Sequence, residues 1–289
     1  MCENQAGGNT RVLLALPFFI LAWNSVQFLA QMGRQAQGKR TEQLQNAYQI
    51  SGESRPGRWL VTCDHASNHV PDWVGGGSLG IGPADMSRHI AYDVGAAGLA
   101  RALAEVLDSP VIESCFSRLV IDANRGEEDP TLLMRLYDGT IIPTNRHAGP
   151  DDLAQRLDRL YRPYHAAYAD LAAHRDDTVI LAIHSFTPCL RGRAPRPWHV
   201  GVLYSHLDDR LSLPLIARLR AEPDLCIGDN EPYAGHLPGD AIDQHALQRG
   251  RHNTLVELRN DLIATPADQR AWALRLAPIL TEVLAEVAP

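Results

Sequence analysis

The chain has 289 residues, 45% of them apolar and 21% charged, with a formal net charge of −7. That length and apolar share suit one large buried core and exclude a collagenous, coiled-coil or disordered chain. There is no basic surplus of the kind that marks a nucleic-acid binder, and the five cysteines, odd in number and without a CxxC pair, argue against a disulfide framework or a structural zinc knot.

Residues 1–55 read as an appendage outside the fold. An apolar run from Val12 to Trp23, interrupted by Pro17, is shorter than the roughly 20 residues a membrane span needs. An export signal and a membrane anchor are the alternatives for it; the expected compartment is the cytoplasm. A polar, glutamine-rich stretch follows over residues 31–49.

From Arg58 onward strands and helices alternate. Trp59–Cys63 predicts a buried strand, and the loop DHASNHVPDW begins after it. Ile90, Val94, Leu99, Leu103, Val106 and Leu107 carry helical spacing, which predicts a helix over Ile90–Leu107. Pro110–Ser114 and Leu119–Ile121 read as short strands. Asp151–His174 reads as a long amphipathic helix with acidic residues at its start and a bend at Pro163. Thr178–Ile183 and Val200–Tyr204 predict strands, Asp208–Ala221 a helix, Thr254–Leu258 a strand and Pro266–Val287 a closing helix. This order predicts an α/β fold: a mostly parallel or mixed sheet with helices on both faces, in one domain over residues 56–289.

Ligands of such sheets gather at the carboxyl ends of the strands. His65 follows the strand ending at Cys63, and His184 follows VILAI. Arg118, Asp122, Asn124 and Arg125 flank a short apolar run in SRLVIDANR, and Glu257 stands near the end of the Thr254–Leu258 strand. Histidine and carboxylate groups are natural zinc ligands, and a catalytic zinc keeps one position open for water. A second carboxylate can shuttle the proton, and a guanidinium can stabilise an oxyanion. Many α/β proteins carry such groups, so the inventory alone selects no reaction. Arg118, Asn124 and Arg125 equally suit an internal ion-pair network with Asp122.

Three other features narrow the choice. GGGSLG at Gly75–Gly80 matches a dinucleotide fingerprint as text, but follows Pro71 and Trp73 rather than a strand, so it reads as a loop. The same stretch holds GGSLG, Gly76–Gly80, a G-x-S-x-G match as text, but without the strand that precedes a nucleophile elbow, which argues against a serine hydrolase of the usual α/β type. Cys63, inside a predicted strand, reads as a buried thiol rather than a nucleophile. The loop LRGRAPRPWH carries Arg191, Arg193 and Arg196 and reads either as solvated surface or as a lid.

VTCDHASNHVP, AYDVGA, FSRLVIDANR, HSFTP, WHVGVLYS, GDNEPYAG and VELRNDLI together resemble the N-formylglutamate amidohydrolase family, from Trp59 to the C terminus. That family is distantly similar to the zinc carboxypeptidases and aspartoacylases. The resemblance implies a three-layer carboxypeptidase-like α/β architecture, a divalent metal with zinc preferred, and a small anionic N-acyl amino acid such as N-formyl-L-glutamate as substrate. It implies His65 and His184 as metal ligands, Arg118 for the oxyanion and Glu257 as general base. It also implies Asn124 and Arg125 for the substrate carboxylate. Apart from the resemblance, Tyr233 in GDNEPYAG and Arg196 in the arginine-bearing loop are expected as further substrate contacts. The departure is at the HxxE glutamate, where this chain has Asn68. Asp93 is the preferred third ligand, with Asn68 and Asp64 as reserves. A metallopeptidase or deacylase with another substrate, and an inactive member binding an anionic metabolite, are the alternative functions.

Overall fold

The structure, a computed structural model, describes residues 47–288. The apolar run Val12–Trp23 and most of the glutamine-rich stretch lie outside them. Among the described residues the main sheet has seven strands: β1 Tyr48–Ser51, β2 Trp59–Cys63, β3 Val111–Ser114, β6 Val179–Phe186, β7 Val200–Leu203, β8 Ile227–Asp229 and β9 Asn253–Arg259. Their order is β1-β3-β2-β6-β9-β7-β8. β4 Leu136–Tyr137 and β5 Thr140–Ile141 form a separate hairpin.

The strands β3, β2, β6 and β9 are mutually parallel. β1 is antiparallel at one edge, and β7 runs antiparallel to β9 and parallel to β8. Every residue of β2, β6 and β7 is buried, as expected of strands covered on both faces. Side chains alternate between two apolar layers. Val61, Leu181, Ile183, Val202 and Val256 pack against Leu99, Leu215 and Leu280 on one face. Leu60, Ile180, Ala182 and Leu255 pack against Tyr164, Tyr168 and Ile242 on the other.

The first face is covered by the helices α2 Ala96–Val106, α6 Ser212–Arg220 and α8 Pro266–Val287. Thr265 opens α8 by accepting from the Asp268 amide, while Asp268 accepts in return, so two amides at that terminus are satisfied. The opposite face carries α4 Pro150–Arg156 and α5 Arg162–Ala172, joined through a π turn, and α7 Ala241–His245. Two short helices, α1 Pro83–Met86 and α3 Pro143–Arg146, lie in the loops.

Several elements differ from the expectation, each for a physical reason. Tyr48–Ser51 falls inside the stretch read as an appendage, yet pairs with β3 from Tyr48↔Ser114 to Ser51↔Val111. Leu119–Ile121 is a turn, not a strand: Val120 N–H donates to Ser117 O, and its three apolar side chains are fully buried without a ladder. The helix read over Ile90–Leu107 begins only at Ala96, after Gly95 with φ 83. A Cβ on Gly95 would lie 2.4 Å from the Ile263 carbonyl, so glycine is required by space as well as by φ. Pro163 has no N–H for the helix ladder, and the wider π turn Leu157–Tyr161 sits immediately before it. β6 continues three residues beyond Ile183, so His184 lies within the strand rather than after it. Gly75–Gly80 is a loop, with positive φ at Gly75, Gly76, Gly77 and Gly80.

Candidate active site

At the carboxyl ends of the parallel strands the second face opens into a cavity of about 360 Å³. The parallel register of β6 and β9 pairs His184 with Glu257. Side chains at paired positions of neighbouring strands share a face, so both project into that cavity. His65 arrives from the loop after β2, and its carbonyl accepts from the Asp93 amide at 3.0 Å, which ties the two segments together.

Asp93 is the centre of the arrangement. Its Oδ2 lies 2.8 Å from His184 Nδ1 and 3.2 Å from His65 Nδ1. One donor atom from each of His65, Asp93 and His184 falls within 4.8 Å of the others, and all three residues are buried. The far ring nitrogens meet two further buried carboxylates. His65 Nε2 is 2.6 Å from Asp122 Oδ1, and His184 Nε2 is 3.3 Å from Asp64 Oδ2. Arg118 Nη2 donates to Asp122 at 2.8 Å and Nη1 approaches Asp93 at 3.5 Å.

The charges decide what this cluster accommodates. Asp64, Asp93 and Asp122 are fully desolvated, which opposes ionisation. Their hydrogen bonds and the charges of His65, His184 and Arg118 outweigh that and hold all three below the usual carboxylate range. Three negative charges thus face one guanidinium and two imidazoles. Without a cation the balance falls to His184: burial disfavours its protonation, but Asp64 and Asp93 overcome it and raise its pKa to about 10. A dication would balance the same carboxylates, with His65 Nε2 at hydrogen-bond distance from Asp122, His184 Nε2 3.3 Å from Asp64, and both Nδ1 atoms facing Asp93. That is the arrangement of a histidine metal ligand oriented by a carboxylate behind it.

Glu257 is 5% exposed, and its Oε2 has no hydrogen-bond partner among the described residues. Burial, with the nearby Asp93 charge, pushes its carboxyl up to about 7. An unpaired carboxylate poised near neutrality beside a histidine pair is suited to proton transfer. Asn124 and Arg125 line the other side of the cavity. Asn124 Oδ1 accepts from the Ala241 amide; Arg125 uses Nη1 on the Asn124 carbonyl and Nε on Thr131. Tyr233, 45% exposed, stands at the mouth.

Arg196, expected to touch substrate, is not among the lining residues; its guanidinium stacks over Tyr233 at 5.3 Å and Phe186 at 5.7 Å. Asn68 is likewise outside the site, its amide donating to the Met86 carbonyl. Asp64 sits behind His184, on the side away from Asp93. The Cys63 thiol is fully buried and pushed well above its ordinary pKa by desolvation, unlike a nucleophile. The sequence reading missed His236, Leu203 and Asp240 as lining residues and Asp122 as the partner of His65.

The N-formylglutamate amidohydrolase family model matches residues 57–264. The chain belongs to the N-formylglutamate amidohydrolase family. Membership makes it a hydrolase acting on amide bonds. Among solved structures it is similar to a gene product of Agrobacterium tumefaciens, at 32% identity and a TM-score of 0.79, over 86% of this chain and 98% of that one. It also shares its fold with an N-formylglutamate amidohydrolase from Ralstonia eutropha JMP134, at 19% identity and a TM-score of 0.61, over 82% of this chain and 98% of that one. No curated protein matches the chain significantly. Among the described residues no helix is long and apolar enough to cross a membrane.

Proposed function

We propose that this chain hydrolyses the amide of a small N-acyl amino acid such as N-formyl-L-glutamate, with a divalent metal, zinc by preference, held by His65, Asp93 and His184. The observation that carries the proposal is the shared orientation of the two imidazoles, Nδ1 towards Asp93 and Nε2 towards a second carboxylate. Asp93 supplies the carboxylate that Asn68, at the HxxE position, does not, which favours an active enzyme over an inactive binding protein. When bound, the cation supplies Lewis acidity, polarising the amide carbonyl and lowering the pKa of water.

The protein's own groups do the rest. Glu257 takes the proton of the attacking water and returns it to the leaving amine. Arg118 and Tyr137 line the cavity together, the guanidinium stacked 5.5 Å from the ring centroid, so Arg118 can donate to the carbonyl oxygen as negative charge develops there. Arg125 and Asn124 hold the substrate carboxylate, a pairing a guanidinium makes with two parallel bonds. Tyr233, backed by Arg196, closes over the substrate at the mouth. A cavity of about 360 Å³ lies at the small end of ligand sites and suits an acyl amino acid better than a long peptide.

The test is amine release from N-formyl-L-glutamate against a panel of other N-acyl amino acids, with zinc supplied. Turnover of acidic N-formyl substrates, with Arg125→Met raising KM more than it lowers kcat, is the expected result. No amine release from any member of the panel would refute the proposal.

A further inference from the structure

The two histidines of the cluster are oriented by different means. His65 is held by Asp122, which Arg118 already neutralises. His184 Nε2 faces Asp64, which no guanidinium contacts among the described residues; the other oxygen of Asp64, Oδ1, accepts from the Tyr164 hydroxyl at 2.5 Å. Asp64 Oδ2 and His184 Nε2 stand 3.3 Å apart, and among the described residues neither has a hydrogen-bond partner, so each is the nearest group to satisfy the other. Tyr164 is itself fully buried, edge-on to Phe116, His165 and Tyr168, so its hydroxyl position is fixed by packing.

We infer that Asp64, fixed by Tyr164, is a positioning residue that sets which ring nitrogen of His184 faces the cavity, and so sets the affinity of the site for a divalent metal. The inference rests on the metal-site reading above. A carboxylate is acceptor-only, so a neutral His184 must place its proton on Nε2 to meet Asp64, leaving the Nδ1 lone pair pointing at Asp93 and any bound cation. Tyr164 serves as the donor that occupies Oδ1 and leaves Oδ2 for the histidine. An asparagine at position 64 can turn its amide N–H₂ towards Nε2. That selects the Nδ1–H tautomer, which offers no lone pair to a metal. Such orienting partners of metal-ligating histidines are typically worth about 10- to 100-fold in affinity.

The experiment measures zinc affinity of the full chain by competition with a chromogenic chelator, for wild type, Asp64→Asn and Tyr164→Phe. It is paired with ¹⁵N NMR of the histidine rings in the zinc-loaded proteins, His184 being assigned by its loss in His184→Gln. The inference expects affinity lowered about 10- to 100-fold in Asp64→Asn, with a smaller loss in Tyr164→Phe and an altered His184 ring signature in both. A merely structural role would lower the melting temperature of the metal-free protein and leave affinity and ring signature unchanged. Folded Asp64→Asn that binds zinc as wild type does, with the wild-type signature, overturns the inference alone. If Asp64→Asn does not fold, Tyr164→Phe decides: weakened binding supports the inference and unchanged binding overturns it. Wild-type protein that takes up no metal would instead refute the metal site itself, and this inference with it.

Discussion

Asn145→Ala perturbs the site through a residue that never touches it. Asn145 is fully buried in the short helix α3. Its Nδ2 donates to the Leu119 carbonyl at 2.6 Å and the Met134 carbonyl at 2.7 Å. Its Oδ1 accepts from Arg156 at 2.7 Å, and the same guanidinium nitrogen donates to the Val120 carbonyl at 2.7 Å. Arg156 is 2% exposed. These bonds satisfy the backbone of the turn between Arg118 and Asp122, and so hold both side chains on the cluster. Alanine removes three of them and leaves the buried Leu119 carbonyl, the half-buried Met134 carbonyl and part of a guanidinium without these partners. At about 1 kcal/mol for each neutral bond and about 2 kcal/mol for the charged one, the loss sums to about 4 kcal/mol. For a domain of this size that lowers Tm by roughly 8–16 °C. Urea unfolding monitored by circular dichroism measures the loss, and KM for substrate should rise because Arg118 and Arg125 lie on the released segment. A loss below about 1 kcal/mol would show that water or neighbouring groups replace these bonds, and would refute the reasoning.

Three further outcomes follow from the same geometry. Glu257→Gln should lower kcat by about 10²- to 10⁴-fold while zinc content, measured by atomic emission, stays at the wild-type level; loss of the metal would make Glu257 a ligand instead. Asp93→Asn should abolish stoichiometric zinc binding in equilibrium dialysis, and retention of wild-type affinity would place the metal elsewhere. The stacked pair His165 and His245, with Nδ1 and Nε2 2.8 Å apart, is driven below the ordinary histidine value by burial, to about 4 and about 3. Between those values and about 6.5 the unfolded chain binds protons that the folded chain refuses. Stability is therefore complete above about pH 6.5 and falls as pH drops towards 4, by up to about 1.4 kcal/mol per pH unit for each histidine. Urea melts between pH 7 and 5 should give a shallower slope for His245→Gln than for wild type, and equal slopes would exclude the pair as the cause.

The parallel centre of the sheet is legible because its strands are short, continuously apolar and punctuated by helices; the closing helix has the expected bounds Pro266–Val287, and the structure shows Thr265 and Asp268 capping its start. The grouping of His65, Asp93 and His184 was legible only through motif order, since the three lie on separate segments that spacing alone does not bring together. What escaped the sequence is instructive. Leu119–Ile121 looks like a strand because apolar burial has the same signature with or without a ladder; its backbone is satisfied by Asn145 and Arg156, distant residues that carry no local signal. Tyr48–Ser51 is a half-buried polar edge strand without alternation strong enough to notice. Asp64 was weighed as a ligand, although its place directly before His65 turns its carboxylate to the opposite side of His184. Arg196 carries charge that the sequence points at the substrate; in the fold that charge is spent on the Tyr233 and Phe186 rings.

Amide hydrolysis is proposed to depend on a divalent metal held by the His65–Asp93–His184 cluster. Metal content of the purified chain, measured together with amine release from N-formyl-L-glutamate before and after chelation, tests it most directly. About one zinc per chain is expected, with activity lost on chelation and restored by zinc. Metal-free protein that hydrolyses at the same rate would contradict it.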